Sequence, residues 1–252
     1  MRRYAVIGSP VRHSLSPMMQ QAAFDALDIA ATYEAIEATT AQPIAARLLA
    51  DGFSGWNVTT PLKEQMLGAV DSLTDEARRA RAVNAVRREG EQLIGHNTDG
   101  AGFVRAVVEL WSAQVLAQPV LILGSGPAAR AIALALSESG ADEVACWARS
   151  DERARLVAPL PQRQPHLAVW AMPPAAPVPP AIARMIDGAA LFFDCNYGER
   201  TMPRARPGQR ASDGLPLLLH QGALAFTWWT GIAAPEQQMR EALARAAKRQ
   251  DL

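Results

Sequence analysis

The sequence predicts an α/β fold in two domains. Short apolar runs of strand length alternate with segments of helical periodicity from Arg3 onward. A Gly-rich turn, Gly124-Ser125-Gly126-Pro127-Ala128-Ala129, begins only near mid-chain, between a continuous apolar run and a helical one. The length of 252 residues fits one or two domains with a substantial core.

Arg3 to Gly8 reads as an opening strand. A helix follows from Pro17, with Ser16 as its cap and Met18, Ala22, Phe24 and Leu27 as its apolar face. Thr32 to Ile36 is a second strand, Ala41 to Leu49 a helix, Gly55 to Thr59 a strand and Leu62 to Val70 a further helix. Val83 to Arg88 and Gln92 to Gly95 are strands joined at Glu89-Gly90. Gly102 to Leu110 reads as a helix linking the domains. Pro119 to Leu123 then fits a parallel strand buried on both faces. The helix Ala128 to Ser139, the strand Glu143 to Ala148 and strands near Leu167–Met172 and Ala190–Asp194 continue the alternation. Met172 to Pro180 is proline-rich and reads as loop. Pro235 to Arg249 is an amphipathic helix with Met239, Leu243 and Ala246 on one side.

Acidic and basic residues balance at 25 each. That total carries no nucleic-acid footprint and no basic membrane-binding face. No apolar run spans a bilayer, and the apolar stretch Tyr4–Ile7 is too short for a signal-peptide core, so a cytoplasmic protein is expected. Cys146 and Cys195 lie in apolar contexts. They read as buried thiols, with no disulfide framework and no Cys-based metal site. Oligomeric state leaves no signal in the sequence.

Two polar motifs precede the Gly-rich turn. Gly8-Ser9-Pro10-Val11-Arg12-His13-Ser14-Leu15-Ser16-Pro17 and Gly55-Trp56-Asn57-Val58-Thr59-Thr60-Pro61-Leu62-Lys63 each gather hydroxyls, an amide or an ammonium beside turn-forming Gly and Pro. The turn itself fits G-x-G-x-x-G/A. Gly124 permits the sharp bend, Gly126 admits a pyrophosphate, and Ala129 allows close helix–strand packing. Pro127 is compatible because the first helical position needs no N–H. After the next strand, where Asp or Glu would bind a ribose 2′-hydroxyl, stand Arg149, Ser150 and Arg153. A guanidinium pair suits a 2′-phosphate; Arg153 equally suits a surface pairing with Asp151 or Glu152. Polar pockets ahead of a nucleotide module point to a dehydrogenase acting on a small polyol.

In these motifs the chain resembles the shikimate dehydrogenase family, which includes quinate/shikimate dehydrogenases. The resemblance extends over nearly the whole length through Gly8–Pro17, Gly55–Lys63, Ala82-Val83-Asn84, Gly95–Gly100, Gly124–Arg130, Arg149-Ser150, Asp194–Tyr197 and Gly214–Gly231. It implies a substrate-binding catalytic domain of residues 1–99 plus 218–252 and a Rossmann-like NADP-binding domain of residues 100–217, with a cleft between them. It implies Lys63 and Asp99 as the catalytic pair. Ser14, Ser16, Thr59 and Tyr197 would meet the substrate carboxylate, and Asn57, Asn84 and Gln221 the ring hydroxyls. Gly124, Ser125, Gly126, Pro127, Ala128, Arg149, Ser150, Arg153 and Gly214 would hold the cofactor. Ser16 also fits a helix cap, Asn57 and Asn84 fit strand-end turns, and Asp99 fits a cap. His13 and His96 read as packing or hydrogen-bonding residues, and Trp228 and Trp229 as core.

The chain departs from the family mainly in the cofactor module. Pro127 stands for Gly, Ala148-Arg149-Ser150 for Asn-Arg-Thr, Trp170-Ala171-Met172-Pro173 for the Asn-Ala-Thr region, and Leu217 for Met. In the first domain Gln20-Gln21 replaces His-Asn. The resemblance implies NADP-dependent interconversion of shikimate and 3-dehydroshikimate. Quinate or a shikimate analogue as substrate, with NAD or NADP, is a second reading. A nucleotide-binding regulator with negligible turnover is a third.

Overall fold

Side chains alternate along β1 (Arg2–Gly8), so Ala5 and Ile7 enter one hydrophobic layer while Tyr4 and Val6 enter another. This strand organises the first of two units in the computed structural model, which describes residues 1–155, 157–174, 176–198, 206 and 208–248. The first unit is Met1–Gly102 with Leu218–Leu252, and the second is Phe103–Leu217. Of the expected elements, Ala175 in the proline-rich loop and Arg249 at the end of the last helix lie outside the described residues.

In the first unit β1 is followed by α1 (Ser16–Ala26), β2 (Ala31–Glu37), α2 (Ala41–Ala50), β3 (Gly55–Val58), β4 (Ser72–Leu73), α3 (Asp75–Ala80), β5 (Ala85–Glu89), β6 (Gln92–His96) and the start of α4 (Asp99–Leu110). The six-stranded sheet has the order β2-β1-β3-β5-β6-β4. β1 pairs in parallel with β2 and β3, whereas β5 runs antiparallel to β3 and β6. The C-terminal ends of β1, β2, β3 and β6 and the N-terminal end of β5 therefore share one edge, and the polar motifs emerge there. Ala5, Ile7, Trp56, Val58 and Val86 pack with Ala41, Ile44, Ala45 and Leu48 of α2. On the other face Tyr4 stacks on Phe24 and meets Trp229, while Phe24 meets Phe226.

The second unit carries β7 (Val120–Leu123), α5 (Pro127–Glu138), β8 (Val144–Trp147), α6 (Asp151–Arg155), β9 (Leu167–Trp170), α7 (Pro180–Asp187), β10 (Leu191–Asp194) and β11 (Arg210–Ser212). Its sheet is wholly parallel in the order β11-β10-β9-β7-β8. Counted within the unit this is 2-1-3-4-5, a doubly wound order whose direction reverses between β7 and β9. Val120 and Ile122 pack beneath α4 and α5, and Leu121 and Leu123 beneath α7, which accounts for the uninterrupted apolar run in β7. The last helices are α8 (Leu215–Thr230) and α9 (Glu236–Ala246), and α9 packs on α1.

Three local expectations are corrected. Residues 62–70 do not form an α-helix: only Gln65–Gly68 makes a 3-10 turn, and the Lys63 carbonyl accepts the Val83 N–H at 2.9 Å. A carbonyl spent on a tertiary bond does not propagate a helix. Ser16 is the first residue of α1 and not its cap; the Ser14 Oγ accepts the Ser16 N–H at 3.3 Å. The buried face of α1 is Met19, Gln20, Ala23 and Phe24, while Met18 is exposed. Gln20 sits in that face because its Nε2 donates to the Gly222 carbonyl at 2.9 Å, so apolar periodicity alone misplaced the stripe.

Candidate active site

Backbone bonds stitch the two polar motifs together at the end of the sheet. The Ser9 N–H donates to the Thr60 carbonyl and the Thr59 N–H to the Ile7 carbonyl, each at 2.9 Å. A Cβ on Gly8 would lie 2.4 Å from Thr59 Cγ2 and 2.7 Å from the Thr60 carbonyl, so this approach requires glycine. The Ser9–Pro10 and Thr60–Pro61 bonds are cis. Glu37, ending β2, accepts the Val11 N–H at 3.0 Å and holds the loop that carries Ser14. The Val11 N–H is the main influence that keeps the Glu37 carboxyl below its ordinary range; the Ser9 hydroxyl, the Arg12 N–H and the Arg12 charge add to it.

Lys63 follows this turn, and its Nζ lies 2.6 Å from Asp99 Oδ2, with both side chains largely buried. The other carboxylate oxygen of Asp99 accepts from Asn84 Nδ2 at 2.8 Å. The Asp99 N–H is held by Asn97 Oδ1 at 3.0 Å, and Asn97 Nδ2 donates to the Ala82 carbonyl at 2.9 Å. Asn84 is itself fixed: its Oδ1 accepts the Thr98 N–H at 2.8 Å, and its Nδ2 lies 2.9 Å from Thr98 Oγ1 and 3.3 Å from Gln221 Oε1. Asn57 Nδ2 donates to the Asn84 carbonyl at 3.1 Å. Lys63, Asp99, Asn57, Asn84 and Gln221 thus form one connected network in the first unit, which also carries Ser14 and Thr59 on loops and Ser16 at the start of α1. Asn84 turns its amide onto Asp99 and Thr98, so in this arrangement it orients the acid. The acid–amide–ammonium arrangement fixes the direction of the Lys63 donor, and proton transfer requires that. Tyr197 and Gly214 belong to the second unit.

His96 and the tryptophans keep structural roles. His96 Nδ1 lies 2.8 Å from Thr74 Oγ1, its ring is 4.8 Å from that of Trp228, and burial lowers its pKa. Trp229 Nε1 donates to the Val86 carbonyl at 2.9 Å.

In the second unit the Gly-rich turn sits at the C-terminal end of β7, beside the point where the strand order reverses. Gly124 has φ +132°, and a Cβ there would lie 2.5 Å from the Ala171 carbonyl. A Cβ on Gly126 would meet nothing within 4 Å, which leaves space for an approaching group. Gly126 caps α5 and Pro127 opens it, and the cap makes no side-chain hydrogen bond to the first-turn N–H groups among the described residues. Cys146 Sγ donates to the Gly124 carbonyl at 3.2 Å, and burial pushes this thiol up to about 12, so it is a packing group and not a nucleophile. Arg149 and Ser150 follow β8, and Arg153 lies within α6. The guanidinium groups of Arg149 and Arg153 are exposed and make no hydrogen bond or ion pair with a described residue; the Arg153 N–H approaches Ser150 Oγ at 3.4 Å. An open glycine cradle, uncovered helix N–H groups and two uncommitted cations fit a phosphorylated dinucleotide.

Residues 6–86 match the family described as the shikimate dehydrogenase substrate binding domain, and residues 214–244 the shikimate 5′-dehydrogenase C-terminal domain. A curated shikimate dehydrogenase (NADP(+)) of Desulfitobacterium hafniense is 36% identical, over 97% of this chain and 98% of that protein. Another of Thermus thermophilus is 39% identical, over 98% and 99%. The chain belongs to the shikimate dehydrogenase family. Among solved shikimate dehydrogenase structures, that of Thermus thermophilus in complex with NADP(H) and shikimate superimposes with a TM-score of 0.86 at 36% identity, covering 98% of this chain and 100% of that one. That of Listeria monocytogenes, in complex with shikimate and NAD, has a TM-score of 0.79 at 26% identity. Among the described residues no helix is long and apolar enough to cross a membrane, and no group of three or more His, Cys, Asp or Glu is placed to hold a metal ion.

Asn196, which lies in the Asp194–Tyr197 motif without a role implied by it, and Gln21 complete this shikimate dehydrogenase framework. Where the family's Asn-Ala-Thr region is replaced, Asn196 Nδ2 donates to the Met172 carbonyl at 3.0 Å and to Asp194 Oδ1 at 2.8 Å. The Asn196 carbonyl accepts the Gly214 N–H at 2.8 Å, and a Cβ on Gly214 would lie 2.3 Å from the Cys195 carbonyl. Asn196 therefore ties together the segments that follow β9 and β10 and precede α8. An Asn two residues after an Asp at a strand end is an Asx-type signal that points to such a turn. Where His-Asn is replaced, Gln21 Oε1 accepts the Tyr33 N–H at 3.2 Å and Gln21 Nε2 donates to the Ala31 carbonyl at 3.1 Å. That pairing covers the open side of edge strand β2.

Proposed function

We propose that this chain catalyses the NADP-dependent interconversion of shikimate and 3-dehydroshikimate. Close curated relatives carry the name shikimate dehydrogenase (NADP(+)) over nearly their full length. The observation that carries the reading is the Lys63–Asp99 pair, with Asn84 on the second carboxylate oxygen. When bound, NADP supplies the hydride acceptor. Lys63 Nζ, as the neutral amine, takes the proton of the hydroxyl being oxidised and becomes the ammonium; in the reverse direction the ammonium returns that proton to the carbonyl oxygen. Asp99 holds the ammonium on that line. Ser14, Ser16, Thr59 and Tyr197 bind the carboxylate, and Asn57, Asn84 and Gln221 bind ring hydroxyls. Neutral amides and hydroxyls suit such a substrate because they both donate and accept, and a missing hydroxyl leaves them unpaired.

Gly124, Ser125, Gly126, Pro127 and Ala128 receive the pyrophosphate, Gly214 lies beside the nicotinamide, and Arg149, Ser150 and Arg153 receive the 2′-phosphate. The catalytic domain comprises residues 1–99 plus 218–252 and the cofactor domain residues 100–217. The enzyme works in the cytoplasm on a small polyol acid, without nucleic acid. The test offers purified protein NADP or NAD with shikimate, quinate and related acids and follows reduced cofactor. NADP with shikimate is expected to give the highest kcat/KM. Preference for quinate, or no turnover of any acid, contradicts the reading.

A further inference from the structure

We propose that Tyr33, which lies in no substrate motif, is a positioning residue that fixes the amide of Asn57 so that it meets a substrate oxygen as a donor. The Tyr33 hydroxyl lies 2.7 Å from Asn57 Oδ1, and Asn57 Nδ2 lies 3.1 Å from the Asn84 carbonyl. A backbone carbonyl only accepts, so the amide nitrogen must face it. The Tyr33 hydroxyl then donates to Oδ1. Rotating the amide by half a turn would set Oδ1 against the Asn84 carbonyl, which already accepts the Val58 N–H at 2.8 Å, so two acceptors would face each other and Oδ1 would lose its donor. Tyr33 and Asn57 are 7% and 5% exposed, so that arrangement is costly. The orientation leaves the second Nδ2 hydrogen of Asn57 as the group offered to a ligand.

Three contacts fix the backbone and ring of Tyr33. Tyr33 pairs with Tyr4 across β1 and β2. Its N–H is bound by Gln21 Oε1 at 3.2 Å. Its ring packs against Trp229 with centroids 6.3 Å apart. A chain of hydrogen bonds thereby runs from Tyr33 through Asn57 and Asn84 to Asp99. Tyr33 acts through Asn57 and sets which substrate hydroxyl pattern the pocket accepts.

The inference rests on the activity proposed above, so its test includes a readout that needs no turnover. Tyr33→Phe keeps the ring and removes the hydroxyl. Its kcat/KM is measured with shikimate and with analogues that each lack one ring hydroxyl, and the Asn57 side-chain amide is followed by 1H–15N NMR, assigned by its loss in Asn57→Ala. The expected result is a roughly tenfold fall in kcat/KM for shikimate, an unchanged KM for NADP, displaced Asn57 amide signals, and no fall for the one analogue lacking the hydroxyl that Asn57 reads. Equal falls for every analogue, or Asn57 signals unmoved in Tyr33→Phe, overturn the inference. Displaced signals in a protein that turns over none of these acids keep Tyr33 as the anchor of Asn57 and overturn the proposed activity.

Discussion

Arg149 stands where a 2′-hydroxyl reader would carry an acid, and its exposed guanidinium is available for a phosphate. Losing a charge-assisted contact there costs about 1.5–3 kcal/mol, or roughly 10- to 150-fold in NADP affinity. Arg149→Ala is expected to weaken NADP by that factor and to leave NAD nearly unchanged, as titration of both cofactors would read. An equal loss for both would show that Arg149 does not read the 2′-phosphate. Glu37 makes a different kind of contribution. Its carboxyl is held below its ordinary range in the folded chain, mainly by the Val11 N–H. A depressed carboxyl stabilises the fold above the unfolded pKa, and the gain is lost as pH falls through the folded one. Wild type is therefore expected to melt above Glu37→Gln at neutral pH, and the gap to close as pH drops below the carboxylate range. A gap independent of pH would remove the charge from this account. Lys63, Asp99, Asn84 and the glycines could be proposed from sequence because they lie in compact motifs. Tyr33 could not, because its hydrogen bond to Asn57 joins residues that sequence distance does not mark.

The elements with a continuous apolar run or a single apolar face were legible in sequence: β1 and β7 show the first and α5 and α9 the second. Those shaped by tertiary bonds were not. The turn after β3 spends the Lys63 carbonyl on Val83, and α1 buries Gln20 for the sake of Gly222. The two-residue β4, and β11 at three residues, are too short to show alternation. α8 is apolar on nearly every side through its middle, so it shows no stripe. β3 supplies a sharp test of this packing. A Cβ on Gly55 would lie 2.7 Å from the Val86 carbonyl and 2.9 Å from Trp229 Nε1, the two partners of a buried hydrogen bond. Gly55→Ala is expected to destabilise by about 1–3 kcal/mol, the usual range for overpacking, in denaturant unfolding of the full chain. Wild-type stability would mean that the Trp229 contact yields without cost.

At the scale of the molecule, the late position of the Gly-rich turn and the recurrence of family residues at Gln221 are what motivate the proposed division into residues 1–99 plus 218–252 and residues 100–217. Strand order was not legible, since parallel pairing joins segments far apart in the chain and leaves no local mark. The proposed reaction takes its acid–base pair from the first unit and its cofactor turn from the second, so one substitution in the first separates chemistry from cofactor binding. The decisive measurement is the steady-state kinetics of Lys63→Ala with NADP and shikimate. Loss of a general acid–base group predicts a fall in kcat of at least about 10²-fold, with a smaller change in KM for either substrate. Turnover close to wild type would contradict the assignment of Lys63 and Asp99 as the catalytic pair.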